Sequence, residues 1–114
     1  MTTRLPAALP VATIAACLLT VTHAVRAQDA AALRAHALAA TCAQCHGSEG
    51  RAAAGSAVPG LAGLPAPYLV EQMQAFKAGS RPGTVMPQLA KGYSDAQITQ
   101  LAAFFARSGA APKP

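Results

Sequence analysis

The sequence predicts a small all-α domain, and three observations predict it. Residues 29–40, 65–78 and 94–107 are each long enough for about three helical turns and carry either strong helix formers or apolar residues at helical spacing. The stretches between them, 47–64 and 79–93, hold eight of the nine glycines, which punctuate helices and strands alike. No segment alternates apolar and polar residues convincingly enough to be a strand.

The chain begins with a leader-like stretch. Arg4 supplies a basic n-region, Leu5 to Val21 an apolar h-region, and Ala24-Val25-Arg26-Ala27 a small-residue exit of the A-x-A kind. Residues 1–27 are therefore expected to be a cleaved signal peptide, leaving an 87-residue mature chain in the periplasm. The apolar run is short for a membrane span and is interrupted by Pro6 and Pro10. Ile14-Ala15-Ala16-Cys17 loosely resembles a lipoprotein box that would put a lipid on Cys17, but Leu18-Leu19 after it argues against that use.

Asp29 to Ala40 should be the first helix, with Asp29 near the positive end of its dipole. It leads into Cys42-Ala43-Gln44-Cys45-His46. C-x-x-C-H is the pattern of c-type haem attachment: two thiols one helical turn apart can each add to a porphyrin vinyl group while the adjacent imidazole ligates the iron. Zinc would need four ligands, and the only other cysteine is Cys17 in the leader. A redox dithiol would sit beside a βαβ pattern, which is not what precedes it here. With both mature cysteines claimed by haem, no disulfide is expected, although an exported compartment would permit one. His36 reads as a lone surface histidine rather than a ligand.

The stretch from Gly47 to Gly63 reads as loop. A ligating histidine normally donates its other ring N–H to a carbonyl or carboxylate, and Pro59 lies where it could offer that carbonyl. Spacing alone does not separate this role from that of a turn proline. A second helix is expected from Pro65 or Pro67 to Ala78, with Leu69, Met73 and Phe76 on a core-facing stripe and Gly79 as its stop. Ser80 to Gly92 reads as irregular, because Pro82, Gly83, Pro87 and Gly92 interrupt it. The last helix opens with a capping box, Ser94-Asp95-Ala96-Gln97, carries Ile98, Leu101, Ala102 and Phe105 on one face, and ends near Arg107 to Gly109. The domain thus spans 28–109, and 110–114 is expected to be a flexible tail.

A second axial ligand would decide what the iron does. Met1 leaves with the leader, and Met73 belongs to a helix stripe, where methionine ordinarily fills core gaps. Met86 sits in a loop about forty residues past His46, far enough to pass round a porphyrin edge. It is favoured as the sixth ligand over Met73 and His36, and a thioether opposite imidazole raises the reduction potential. Such a chain relays electrons; with both axial positions filled, no coordination site is left for substrate.

Composition excludes little else. Hydrophobic residues make up 53% of the chain, but 30 residues are alanine, so large core side chains are few. The formal charge of +5 falls to +3 once Arg4 and Arg26 leave, and haem propionates would offset more of it. No basic stripe interleaved with aromatics suggests a nucleic-acid partner. Lys77, Arg81 and Lys91 flank the Met86 loop and are either ordinary solvated charges or a steering patch for an acidic partner.

The order of these elements resembles the class I cytochromes c over roughly residues 37–106. Within that span Ala40 to Gly47, Pro59-Gly60-Leu61-Ala62-Gly63-Leu64, Tyr68 to Gly79, Val85-Met86-Pro87 and Ala90-Lys91-Gly92-Tyr93-Ser94-Asp95 are similar to the cytochrome subunits of flavocytochrome c sulfide dehydrogenases. The resemblance implies a class I cytochrome c fold with three main helices and loops wrapped around one haem. It implies thioethers from Cys42 and Cys45, axial His46 and Met86, and a Pro-x-Leu element in which the Pro59 carbonyl meets the His46 ring and Leu61 joins the cofactor-binding residues. It also implies an FAD-containing, sulfide-oxidising partner as electron donor and a cytochrome or oxidase as acceptor. Some relatives carry two haem motifs; this sequence carries one. A free-standing carrier and a haem enzyme with a displaceable sixth ligand are the alternatives.

Overall fold

A computed structural model describes the backbone of residues 11–109 and the side chains of Arg26 and residues 28–109. The expected n-region, the Cys17 side chain and the tail at 110–114 lie outside the described residues. The order of elements is α1 (Val11–His46), a 3₁₀ turn (Ser48–Gly50), α2 (Ala66–Ala78), α3 (Met86–Ala90) and α4 (Asp95–Ser108). The chain divides into two compact units, residues 1–33 and 34–114. The first contains the start of α1, and the second contains its end and every later element. Among the described residues no helix is long and apolar enough to cross a membrane.

Two boundaries differ from the sequence expectation. The first helix does not begin at Asp29 but is continuous from Val11, through the predicted cleavage position, because the alanine-rich segment on both sides of residue 27 contains no helix breaker. The segment 80–92 is not wholly irregular: Met86–Ala90 forms the short helix α3, with Pro87 in its first turn, where a missing N–H costs nothing.

α2 begins where expected. Pro65 is its N-cap, Pro67 lies in the first turn, and Gly79 closes it in the left-handed conformation with its N–H on Phe76 O. Leu69 is buried, whereas Met73 and Phe76 are only half-buried. The Phe76 ring instead carries the Arg81 guanidinium over its face at 4.5 Å. α4 has both halves of the capping box: Gln97 N donates to Ser94 Oγ at 3.2 Å, and Ser94 N donates to Gln97 Oε1 at 2.8 Å. Its predicted stripe, Ile98, Leu101, Ala102 and Phe105, is entirely buried.

The core joins Ala39 of α1, Leu69 of α2 and Leu101, Ala102 and Phe105 of α4. Leu38, Cys42, Leu61, Leu64, Val70, Tyr93 and Phe104 pack around it half-buried. Ala39 matters by its size, since a small residue lets the helix backbone approach the larger α4 side chains.

The start of α4 is tied to α2 by Lys77, whose Nζ donates to Asp95 Oδ1 and to Tyr93 O, both at 2.8 Å. The Lys77 hydrogen bond, then that from Gln74, then the Lys77 charge hold the Asp95 carboxyl below its usual range. Removing the cap by Ser94→Ala is expected to lower the stability of the haem-loaded protein by about 1 kcal/mol, measured by denaturant melts. Because the folded-state pKa of Asp95 is lowered, its stabilising effect is complete above the ordinary value of 3.8 and is lost as pH falls through the folded value. The melting-temperature gap between the parent and Asp95→Asn should therefore be present, though small for so exposed a pair, near neutral pH, and should close on acidification below about 3.8.

Candidate cofactor site

The last turn of α1 places Cys42, Cys45 and His46 at i, i+3 and i+4, on one helix face. Both thiols are free. Cys42 is half-buried beside the core, and burial pushes its thiol up, against the opposing pull of the Thr41 and Tyr93 hydroxyls; Cys45 is exposed. Among the described residues no three His, Cys, Asp or Glu side chains converge as a metal-binding group, these included. A zinc site needs such convergence; two thioether bonds to the rim of a macrocycle do not.

His46 is buried, with 9% of its surface exposed. Its Nδ1 lies 2.7 Å from Pro59 O. A carbonyl oxygen can only accept, so Nδ1 carries the proton and Nε2 keeps its lone pair free for a metal. The carbonyl is brought there by the loop that follows α1. Gly50 is buried, and its own carbonyl accepts from Leu61 N at 2.7 Å and Ala62 N at 3.1 Å, which fixes the chain just after Pro59. Gly50 has φ +77°, and a Cβ there would stand 2.8 Å from Phe105 Cδ1 and 2.9 Å from Ala62 N, so only glycine allows this approach. Arg51 secures the same loop from outside, pairing with Glu49 and donating to the Ser108 carbonyl at the end of α4.

Met86 is held by a separate set of contacts. It is the half-buried first residue of α3, whose first turn is closed by Gln88 N and Leu89 N on Val85 O, both at 3.0 Å. Upstream, Arg81 N and Ser80 Oγ both donate to Ala75 O, and Arg81 also binds Gln72 while covering Phe76. Downstream, Ala90 is fully buried. Leu61 is half-buried in the same cluster as Cys42.

The remaining candidates fall elsewhere. His36 is exposed and packs edge-on against Phe104, with ring centroids 4.9 Å apart. Met73 stays on α2. Of the three cations flanking the Met86 segment, Lys77 and Arg81 are structural braces, and Lys91 alone is exposed with no such brace among the described contacts. Sequence reasoning missed Gly50 as a builder of the site and missed the contact between Thr41 and Tyr93, whose hydroxyls are 2.8 Å apart. The only local signal for Gly50 was the glycine density after His46.

These residues fit a covalently attached porphyrin. Two unpaired thiols stand beside an imidazole with the correct nitrogen free, and a half-buried apolar set including Leu61, Leu64, Val70 and Tyr93 packs against the same core cluster as Cys42. The cytochrome c family matches residues 30–108 of the chain. The chain is 41% identical over 76 residues to a thiosulfate dehydrogenase electron acceptor of Thiomonas intermedia, covering 67% of this chain and 35% of that protein. It is 38% identical over 72 residues to the cytochrome subunit of sulfide dehydrogenase of Chlorobaculum tepidum, covering 63% and 64% respectively. Against cytochrome c4 of Azotobacter vinelandii it is 40% identical over 76 residues, covering 59% and 36%. The chain thus spans between about a third and two thirds of the length of these relatives. It belongs to the cytochrome c family, with haem c bound covalently through the Cys42 and Cys45 pair of its C-x-x-C-H motif.

Proposed function

We propose that this cytochrome is exported to the periplasm, holds its iron between His46 and Met86, and accepts single electrons from a dehydrogenase that oxidises a reduced sulfur compound. Bound haem supplies a one-electron ferrous/ferric couple. The chain's own residues supply orientation and rigidity. His46 donates its Nδ1 proton to Pro59 O, which fixes the ring plane and makes Nε2 the basic nitrogen. Met86 offers a neutral, soft sulfur from a segment braced at both ends, so the ligand set need not rearrange when the charge on the site changes. The exposed apolar side chains Val85 and Leu89 next to it form a surface suited to brief contact with a redox partner.

The observation that carries the donor assignment is that two relatives of this chain are named for sulfur-compound dehydrogenases. Within that class, the Val85-Met86-Pro87 and Lys91 to Asp95 segments favour an FAD-containing sulfide dehydrogenase subunit as donor, with a further cytochrome or oxidase as acceptor. A free-standing carrier is the second reading, since the chain is also 40% identical to a relative whose name mentions no dehydrogenase, cytochrome c4.

Met86→Ala is expected to abolish the methionine-to-iron charge-transfer band of the ferric protein and to lower the reduction potential by at least about 60 mV, one tenfold change in the relative stability of ferrous iron. A high-spin ferric spectrum in the parent would instead indicate a displaceable sixth ligand and revive the enzyme reading. Native purification from periplasm should yield the cytochrome together with a flavin-containing chain, and adding sulfide to the complex should reduce the haem. A colourless companion fraction and a lone monomer would favour the free carrier, and reduction by thiosulfate but not sulfide would reassign the donor.

A further inference from the structure

We propose that the hydrogen bond between Tyr93 and Thr41 is a latch that holds the Met86 segment against the haem-attachment helix, making Tyr93 a positioning residue for the sixth ligand. The proposal rests on Met86 being that ligand. α3 has five residues, and a helix so short has no stability of its own, because nucleation costs more than one turn returns. Its place must be fixed by what adjoins it. Downstream of Met86 the chain is locally continuous: Gly92 N donates to Leu89 O at 3.0 Å and Tyr93 N to Ala90 O at 3.2 Å, so residues 86–93 move as one piece.

Tyr93 ends that piece and is fastened to two other elements. Its carbonyl accepts from Lys77 Nζ on α2 at 2.8 Å, and its hydroxyl lies 2.8 Å from Thr41 Oγ1 on α1. The direction of the second bond follows from proton count. Thr41 Oγ1 donates its single proton to Leu38 O at 2.7 Å, so the Tyr93 hydroxyl is the donor and Thr41 the acceptor. Thr41 precedes Cys42, whose Sγ lies 3.8 Å from the same Oγ1. The latch therefore joins the residue beside one thioether to the end of the segment that begins with Met86, across 52 positions of sequence. Moving Met86 off the iron displaces residues 86–93 and breaks the bond, so the bond favours the ligated state over the displaced one.

The test uses the ferric haem-loaded protein and free imidazole, which binds by displacing the sixth ligand. Tyr93→Phe, which keeps the half-buried ring against the core, and Thr41→Val should each raise imidazole affinity about two- to tenfold, the range a single hydrogen bond is worth, and weaken the charge-transfer band. The double variant should gain no more than either single one, and Thr41→Ser should restore parental affinity. Gly109→Ala serves as the control for general destabilisation: its Cβ would collide with Gly63 at the far end of α4, and it should lower the melting temperature without changing imidazole affinity. Unchanged affinity in Tyr93→Phe with the band intact overturns the latch alone, as does an equal gain in Gly109→Ala. A parent without the band, or a Met86→Ala variant that keeps it, overturns the ligand assignment and the latch with it.

Discussion

The hydrogen bond from His46 Nδ1 to Pro59 O is the constraint on which the site depends. It decides the tautomer and ring orientation of the one buried polar side chain in the described core, and much of the surrounding backbone serves to make it. The carbonyl must sit within hydrogen-bond reach of a ring on the last turn of α1, so the chain has to leave the helix and return within thirteen residues. It turns through the 3₁₀ segment Ser48–Gly50, passes outward, and comes back to lay Leu61 and Ala62 on the Gly50 carbonyl. Proline at 59 adds no N–H that would need a partner there.

The Met86 segment is organised differently. His46 stands on a long regular helix, whereas Met86 stands on a five-residue one that borrows its position from neighbours. Those neighbours are mostly long cationic side chains used as struts. Arg81 lies on Phe76 and binds Gln72, and Lys77 ties Tyr93 and Asp95 to α2. Half-buried, fully engaged cations have little freedom left to steer a partner. The segment that carries Met86 is tied from two sides, through the Tyr93 and Thr41 hydroxyls to α1 and through Lys77 and Arg81 to α2.

The sequence made the regular parts legible for definite reasons. The buried face of α4 was visible because Ile98, Leu101, Ala102 and Phe105 recur at helical spacing, and its start because Ser94 and Gln97 stand three apart. The proline-headed start and glycine stop of α2 were equally local signals. The C-x-x-C-H motif named the cofactor because its chemistry is encoded in five adjacent residues. What remained hidden was long-range. Nothing near residue 41 announces a partner at residue 93, and Gly50 looks like any loop glycine until Phe105 is seen packed against it. α3 was obscured by Pro87, which reads as a breaker but is harmless in a first turn. Lys77 and Arg81 looked like surface charge because a pattern of charges says nothing about what each will touch.

The alanine-rich composition takes on a physical meaning in this light. Leu69, Ile98, Leu101 and Phe105 are the only large apolar side chains fully inside the described core, and the two remaining buried positions of the central cluster are alanines. A chain of this size built on such small residues gains little from burial alone, since each alanine removes only a methyl group from water. A bulky porphyrin bonded to Cys42 and Cys45 changes that balance, because its apolar faces add contact area without adding chain entropy to be lost. Alanine at 39 then serves close packing of α1 on α4, while half-buried Leu61, Leu64, Val70 and Tyr93 contribute side chains that a large flat group can press against. Bound through Cys42 and Cys45, the haem would thus be a structural part of the fold as well as a redox group, adding the apolar bulk that so alanine-rich a chain lacks.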